Sequence, residues 1–352
     1  MAHLGAEGHV PMRAKGITYS TGFVVDGNNS RPEFGLDRVR RELEIIRDDL
    51  HCNAVRVIGG DPERLEFAAS CAADLGLEVW FSPYPLELTA DEMLALFADC
   101  AERAERIRVR GGEVVFVTGA ELSLMGKGFL PGENQAERLG LLLDQRERLA
   151  GLVEGLSAGV NEFLGKAVAA VRERFGGRVT YAAIPLERVD WEPFDIMGLD
   201  MYRSAEIADR YAEGIRTLAS QGKPFAVTEF GTAAYAGAGD LGGRMGEVVE
   251  FDKVTGAAVR LRGEPVRDEA SQAAYLVELL EIFEAGGVDS AFVFMFALED
   301  FTHRPDGAPQ DDIDMASPGI VKPYEDRLGE TYPDMPWEPK AAFAAVAEFY
   351  GR

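Results

Sequence analysis

LDRVRRELEIIRDDLHCNAVRVIGGDPERLEFAASCAADLGLEVWFS, residues 36–82, holds the pattern that decides the fold. Leu36–Leu50 carries apolar side chains at 36, 39, 43, 45, 46 and 50, one broad face on a helical period. The period then changes. Ala54–Ile58 (AVRVI) is a short β-branched run, Asp61-Pro62 opens a second helical segment, and Glu78–Ser82 (EVWFS) is another compact apolar run. Runs of this length bounded by Gly, Pro or polar residues read as buried parallel strands. The stretch is therefore helix, strand, helix, strand.

The same alternation extends in both directions. Gly16–Ser20 (GITYS) precedes it, and Val114–Thr118, Val179–Ala183, Ile196–Asp200, Pro224–Thr228 and Ala291–Phe296 follow, making eight runs. Helical patterns occupy Asp91–Ile107, Gln135–Phe175, Ala205–Ser220, Asp268–Ala285 and Lys340–Tyr350, the last preceded by Pro339 as a start signal. Between the fifth and sixth runs only Ile184–Asp195 remains, too short for a full helix and two loops. Eight strands in alternation with helices predict an α/β chain folded as a single (β/α)8 TIM barrel over residues 1–352, with residues 1–14 a mobile terminal segment. A doubly wound sheet needs a G-x-G-x-x-G turn after an early strand, and Gly59-Gly60-Asp61 lacks that spacing. Thr232–Asp268 and Glu299–Glu338 are expected as extended loops after strands seven and eight.

Composition narrows the partners. The chain is 47% hydrophobic and 27% charged, as a packed globular protein is. Asp plus Glu outnumber Lys plus Arg by 60 to 36, a net charge of −24 that repels phosphate backbones and anionic headgroups. Neither nucleic acid nor a membrane surface is expected as a partner. The beginning, MAHLGAEGHVPMRAKG, lacks an apolar core of the secretory type, and no stretch is apolar enough to span a bilayer, so a cytoplasmic location is expected. Cys52, Cys71 and Cys100 are odd in number with no C-x-x-C spacing, and read as reduced thiols. Oligomeric state is not legible.

In such barrels the chemistry sits at the carboxyl ends of the strands. The fourth run ends in Thr118-Gly119-Ala120-Glu121 and the seventh in Thr228-Glu229-Phe230-Gly231; the second carries Arg56, and the sixth is followed by Asp200-Met201-Tyr202. Two glutamates facing each other across one barrel mouth are the pairing that glycosidic bond cleavage requires.

On these residues the chain resembles the retaining glycoside hydrolases of clan A. The likeness rests on VRVIG with Arg56, VTGAELS with Glu121, DIMGLDMY with Tyr202 and KPFAVTEFGTAAY with Glu229. The GAELS turn is most similar to the endo-β-mannanase branch, and SPGIVKPY with WEPKAAFAAVAEFY resembles the closing loop and last helix of many members. The resemblance implies Glu229 as nucleophile, Glu121 as acid/base, Arg56 and Tyr202 as partners that keep Glu229 ionised, and no organic cofactor or metal. It implies a carbohydrate substrate, with a β-mannoside among the choices. Members commonly have Asn before the acid/base, where it binds the sugar 2-hydroxyl; here the residue is Ala120. That departure keeps open a second reading, a catalytically silent carbohydrate-binding relative.

Further substrate contacts are expected from Trp80, Tyr19, Phe296, Glu299, Tyr235 and Trp337, aromatic or acidic residues near strand ends or in the long loops, with core packing or loop anchoring as the alternative for the aromatics. Glu299, Asp300, His303, Asp306, Asp311, Asp312 and Asp314 cluster after the eighth run; the spacing misses the EF-hand pattern and reads as a solvated loop. His3, His9, His51 and His303 offer no i, i+4 pair for zinc. Ser20, Ser82 and Ser123 lie at or just after strand ends, and none of the three sits in G-x-S-x-G. A third reading, a barrel enzyme with paired carboxylates and a divalent metal such as a sugar isomerase, predicts loss of activity on chelation.

Overall fold

The structure, a computed structural model, describes residues 11–25, 27–144, 151–252 and 256–352. Eight parallel strands form one sheet: β1 (Ala14–Ser20), β2 (Ala54–Gly59), β3 (Glu78–Pro83), β4 (Val114–Ala120), β5 (Arg178–Ala182), β6 (Met197–Asp200), β7 (Phe225–Phe230) and β8 (Ser290–Val293). Their order around the sheet is β5-β4-β3-β2-β1-β8-β7-β6. The ring closes beyond the end of β5, where Ala183 N–H donates to Gly198 O at 3.1 Å and Asp200 N–H to Ala183 O at 2.8 Å. Gly198 is required at that seam, because a Cβ there would lie 2.4 Å from the Tyr181 carbonyl oxygen. The fold is the α/β TIM barrel expected from the alternation.

Nine helices occur among the described residues: α1 (Leu36–Asp48), α2 (Pro62–Asp74), α3 (Ala90–Val109), α4 (Leu122–Met125), α5 (Gln135–Asp144), α6 (Val153–Arg172), α7 (Ala208–Ala219), α8 (Glu269–Gly286) and α9 (Ala341–Tyr350). Their starts follow local chemistry. Asp61 accepts from the Glu63 and Arg64 N–H groups with Pro62 in the first turn, and Thr89 with Glu92 forms a reciprocal capping box. The short segment after β5 holds only a 3-10 turn, Pro185–Glu187.

Two expectations are corrected. The long helix over Gln135–Phe175 is two helices, α5 and α6, because α6 buries Val160, Leu164 and Ala167 in the main core while α5 lies across the barrel mouth. One straight rod cannot cover both surfaces. The expected mobile segment is ordered from its described end: Met12 is buried and Arg13 pairs with Asp289 at 2.9 Å and with Glu78; residues 1–10, with His3 and His9, lie outside the described residues. The extended loops expected after β7 and β8 are there, and they carry short elements of their own. They contain the antiparallel pairs Val249–Phe251 with Ala258–Leu261 and Val321–Pro323 with Trp337–Pro339, and share a small core of Tyr235, Met245, Leu261, Ile313 and Met315. No helix among the described residues is long and apolar enough to cross a membrane. All three cysteines are free, Cys52 and Cys100 buried.

Candidate active site

At the end of β4 the backbone leaves the sheet sharply. Gly119 has φ +85° and Glu121 φ +43°, a left-handed conformation that costs a side-chain-bearing residue on the order of 1–3 kcal/mol. Neighbouring hydrogen bonds hold it. Glu121 N–H donates to Ala182 O at 2.8 Å, Leu122 N–H to the Tyr181 hydroxyl at 2.7 Å, and Ser123 N–H to Glu187 Oε1 at 2.9 Å. The Tyr181 hydroxyl donates in turn to Glu187 Oε2 at 2.9 Å. Glu187 and Tyr181 thus fix the turn that turns Glu121 toward the barrel axis.

Glu229 comes from the end of β7 and is buried. Arg56, fully buried inside the barrel on β2, donates from Nη1 to Glu229 Oε1 at 2.9 Å and to Thr228 O at 3.0 Å. The Tyr202 hydroxyl donates to Glu229 Oε2 at 3.2 Å. Asp200, ending β6, is a third acid at the same point. Its Oδ1 accepts from Thr228 Oγ1 at 2.6 Å and lies 4.0 Å from Arg56, while its buried Oδ2 has no partner. One carboxylate oxygen from each of Glu121, Asp200 and Glu229 lies within 4.8 Å of the other two.

Those environments separate the three acids. Burial, then the charges of Glu229 and Glu187, push Glu121 up to about 8, so it holds its proton at neutral pH. Burial also lifts Glu229, but Arg56 and the Tyr202 hydroxyl pull it back toward ionisation. Asp200 is raised well above the usual carboxylate range by burial and by the charge on Glu229, which favours its neutral form. Glu187, raised to about 7 by burial, sits behind Glu121 rather than in the cleft. The arrangement sets a carboxyl group that favours its proton, Glu121, opposite one that Arg56 and Tyr202 draw toward ionisation, Glu229, with oxygens within 4.8 Å.

The cleft over the pair has a volume of about 360 Å³, within the range of small-molecule sites. Tyr84 and Tyr202 line it with the two glutamates, and Gln135, Arg244 and Phe294 also reach it. The structure therefore brings together Glu121, Glu229, Arg56 and Tyr202, with the fully buried Ala120 immediately beside Glu121.

The other expected substrate contacts are placed elsewhere. Trp80 is fully buried, its ring tilted against Phe292 at 4.6 Å and its Nε1 donating to Glu78 at 2.7 Å. Tyr19, Phe296, Glu299 and Trp337 meet in one knot around Glu42 of α1. Tyr19 hydroxyl and Trp337 Nε1 donate to Glu42 at 2.5 and 3.0 Å, and the Phe296 ring packs edge-on to Trp337. Glu299 is taken by Arg38, at 2.7 Å. For Tyr19 strand alternation is the reason, since Thr18, in register with Arg56, faces the interior and Tyr19 the opposite side. Tyr235 anchors the β7 loop, its hydroxyl donating to Met245 O at 2.8 Å.

The acidic loop after β8 is not solvated where it matters. His303, Asp312 and Asp314 converge on Arg267 Nη2, at 3.1, 2.8 and 2.9 Å, and Lys340 pairs with Asp314 at 2.9 Å. A guanidinium occupies the centre of that cluster. At the barrel mouth the positive charge among the three acids is Arg56, already bonded to Glu229.

Sequence reasoning gave Asp200 no role, although its position at the end of the sixth run was itself a signal. Glu187 and the covering residues of α5 carried no such signal, because only the closed barrel brings them to the mouth.

Protein-family models and curated protein sequences give no match to the chain. Solved structures do. A GH113 β-1,4-mannanase complex superposes with a TM-score of 0.58 at 17% identity, covering 97% of this chain and 99% of its own. The GH113 β-mannanase AaManA from Alicyclobacillus acidocaldarius gives 0.57 at 15%, with 97% of each chain covered. A β-glucuronidase from Ruminococcus gnavus gives 0.54 at 15%, over 97% of this chain and 49% of that one. This chain has a fold similar to that of GH113 β-mannanases. At these identities the likeness is one of fold.

Proposed function

We propose that the chain is a retaining β-glycoside hydrolase that works by double displacement, with Glu229 as nucleophile and Glu121 as acid/base. The observation that carries the reading is the approach of the two carboxyl groups, with oxygens within 4.8 Å, at the ends of β4 and β7. Retaining enzymes keep the pair about 5–5.5 Å apart, whereas inverting ones leave about 6.5–9.5 Å for a water. Glu229 attacks the anomeric carbon as Glu121 gives its proton to the departing glycosidic oxygen, forming a glycosyl ester on Glu229. Glu121, now a carboxylate, takes a proton from water, whose oxygen attacks the same carbon and releases Glu229.

Arg56 and Tyr202 hold Glu229 ionised and aimed, and the chemistry calls on no organic cofactor or metal. The β-mannanases of similar fold, together with Ala120 where an amide would otherwise bind an equatorial 2-hydroxyl, favour a β-mannoside. The Ala120 departure also supports the second reading, a silent carbohydrate-binding relative.

Incubation with an activated 2-fluoro-glycoside panel, mannoside first, separates the two by mass spectrometry. A covalent adduct on Glu229, abolished in Glu229→Gln, supports the enzyme; azide rescue of Glu121→Ala with an activated substrate supports its role. Full activity in either single variant refutes the assignment, and activity lost on chelation would favour a metal-dependent mechanism instead.

A further inference from the structure

The two sides of the cleft differ in chemistry. On the side of Glu229 stand Arg56, Asp200, Tyr84 and Tyr202, a polar set suited to a sugar ring. On the side of Glu121 the wall is mostly hydrocarbon: Leu124 and Met125 of α4, Leu139 and Leu142 of α5, and Ile184 beyond β5, with Gln135, its amide nitrogen on Met125 Sδ, the one polar side chain of α5 among them. This wall is built rather than incidental. Arg138, fully buried, donates from Nε to Leu124 O at 2.7 Å and from Nη2 to Glu87 at 2.9 Å, clamping α5 onto α4. Leu139, on the adjacent position of the same helix, is left 40% exposed at the cleft.

An acid/base must lie within hydrogen-bond reach of the leaving oxygen, so whatever surrounds Glu121 on its outer side faces the leaving group. Leu124 and Met125 follow Glu121 in the same turn, and α5 closes over them. Apart from the Gln135 amide, a further sugar ring at that place would bury its hydroxyls against side chains that cannot pair with them, at a cost for each unpaired group. A hydrocarbon would instead be removed from water together with Leu139.

We propose that the substrate is a monoglycoside with an apolar aglycone, an alkyl or aryl group seated between α4, α5 and Ile184, rather than a polysaccharide. The proposal rests on the glycosidase reading above and narrows its substrate.

The test is a series of n-alkyl β-glycosides, ethyl to octyl, of the sugar selected by an aryl-glycoside panel, set beside the matching β-1,4-linked oligosaccharides. Leaving groups from ethyl upward are nearly equal in basicity, so the trend reads burial of the chain. Each added methylene raises kcat/KM by about two- to fourfold until the cleft is filled. Leu139→Gln and Leu142→Gln flatten that rise, and Leu139, being 40% exposed, leaves no core cavity when replaced. Turnover that ignores chain length, favours the oligosaccharide over the octyl glycoside, or keeps its slope in both variants overturns the apolar site while leaving the glycosidase intact. No turnover of any glycoside, with no adduct on Glu229, overturns the reading beneath it as well.

Discussion

Replacing Arg56 by Met tests the electrostatic design of the site. The side chain keeps its length inside the barrel but loses the charge 2.9 Å from Glu229. At an effective dielectric of about 20, that contact is worth roughly 6 kcal/mol of Coulomb attraction before desolvation is counted. Breaking a buried pair on one side costs about 3–5 kcal/mol net, which at about 1.4 kcal/mol per decade is roughly two to four orders of magnitude. The variant does not leave Glu229 bare and charged; it lets burial raise its pKa further. Since the nucleophile must be ionised, the acid limb of kcat/KM moves to higher pH. Arg56 also holds Glu121 down, so the alkaline limb, set by Glu121 at about 8 in the parent protein, moves up too. The whole bell slides to the alkaline side, and the loss is larger at pH 6 than at pH 8. Full pH–rate profiles, with circular dichroism to confirm folding, check this. A loss below tenfold with both limbs unmoved refutes the assignment of Arg56 as the counter-ion of a working nucleophile.

Asp200→Asn is expected to keep kcat/KM within about tenfold at pH 7, because burial and the charge on Glu229 both favour the neutral form that Asn mimics; a loss of several decades would mean that Asp200 works as a carboxylate. Glu42→Gln should destabilise the fold by about 3–5 kcal/mol at neutral pH, read as a lower urea midpoint at unchanged m, since Arg31 and Arg38 lose a fully buried partner. Burial would raise Glu42, but the two guanidiniums hold it down at about 2, so its contribution is full above the ordinary carboxylate value and disappears as pH falls through about 2. The gap between parent and variant must therefore close on acidification, and a gap constant from pH 7 to pH 2 contradicts the linkage. Gly198→Ala pushes a methyl to 2.4 Å from Tyr181 O and should cost about 1–3 kcal/mol, visible as a lower Tm; an unchanged Tm means the β5–β6 seam is looser than described.

The residues that meet at the barrel mouth were legible where they end strands. Arg56, Glu121, Tyr202 and Glu229 are met in the sequence as ionisable or hydroxyl groups in or just after apolar runs, and a barrel turns that local position into convergence at one mouth. The aromatic contacts were misplaced for a reason of the same kind. Tyr19, Trp80 and Phe296 also lie near strand ends, but alternation turns Tyr19 away from the side that Thr18 shares with Arg56, Trp80 faces the interior beside Arg56 yet is taken up by Phe292 and Glu78, and Phe296 lies beyond the end of β8 against Trp337. Trp337 and Glu299 lie in long segments whose path no periodicity encodes, and the buried carboxylate of Glu42 draws the Trp337 indole N–H while Arg38 takes Glu299.

By itself the sequence determined the barrel, its eight strands and degenerate fifth unit, because short buried strands and amphipathic helices are specified by neighbours within a few residues. Only the tertiary structure decided the protonation of Glu121, the third acid at Asp200, the Glu187–Tyr181 brace and the hydrocarbon wall of α5. Each depends on burial and on charges brought from strands far apart in the chain, and both quantities exist only once the ring has closed.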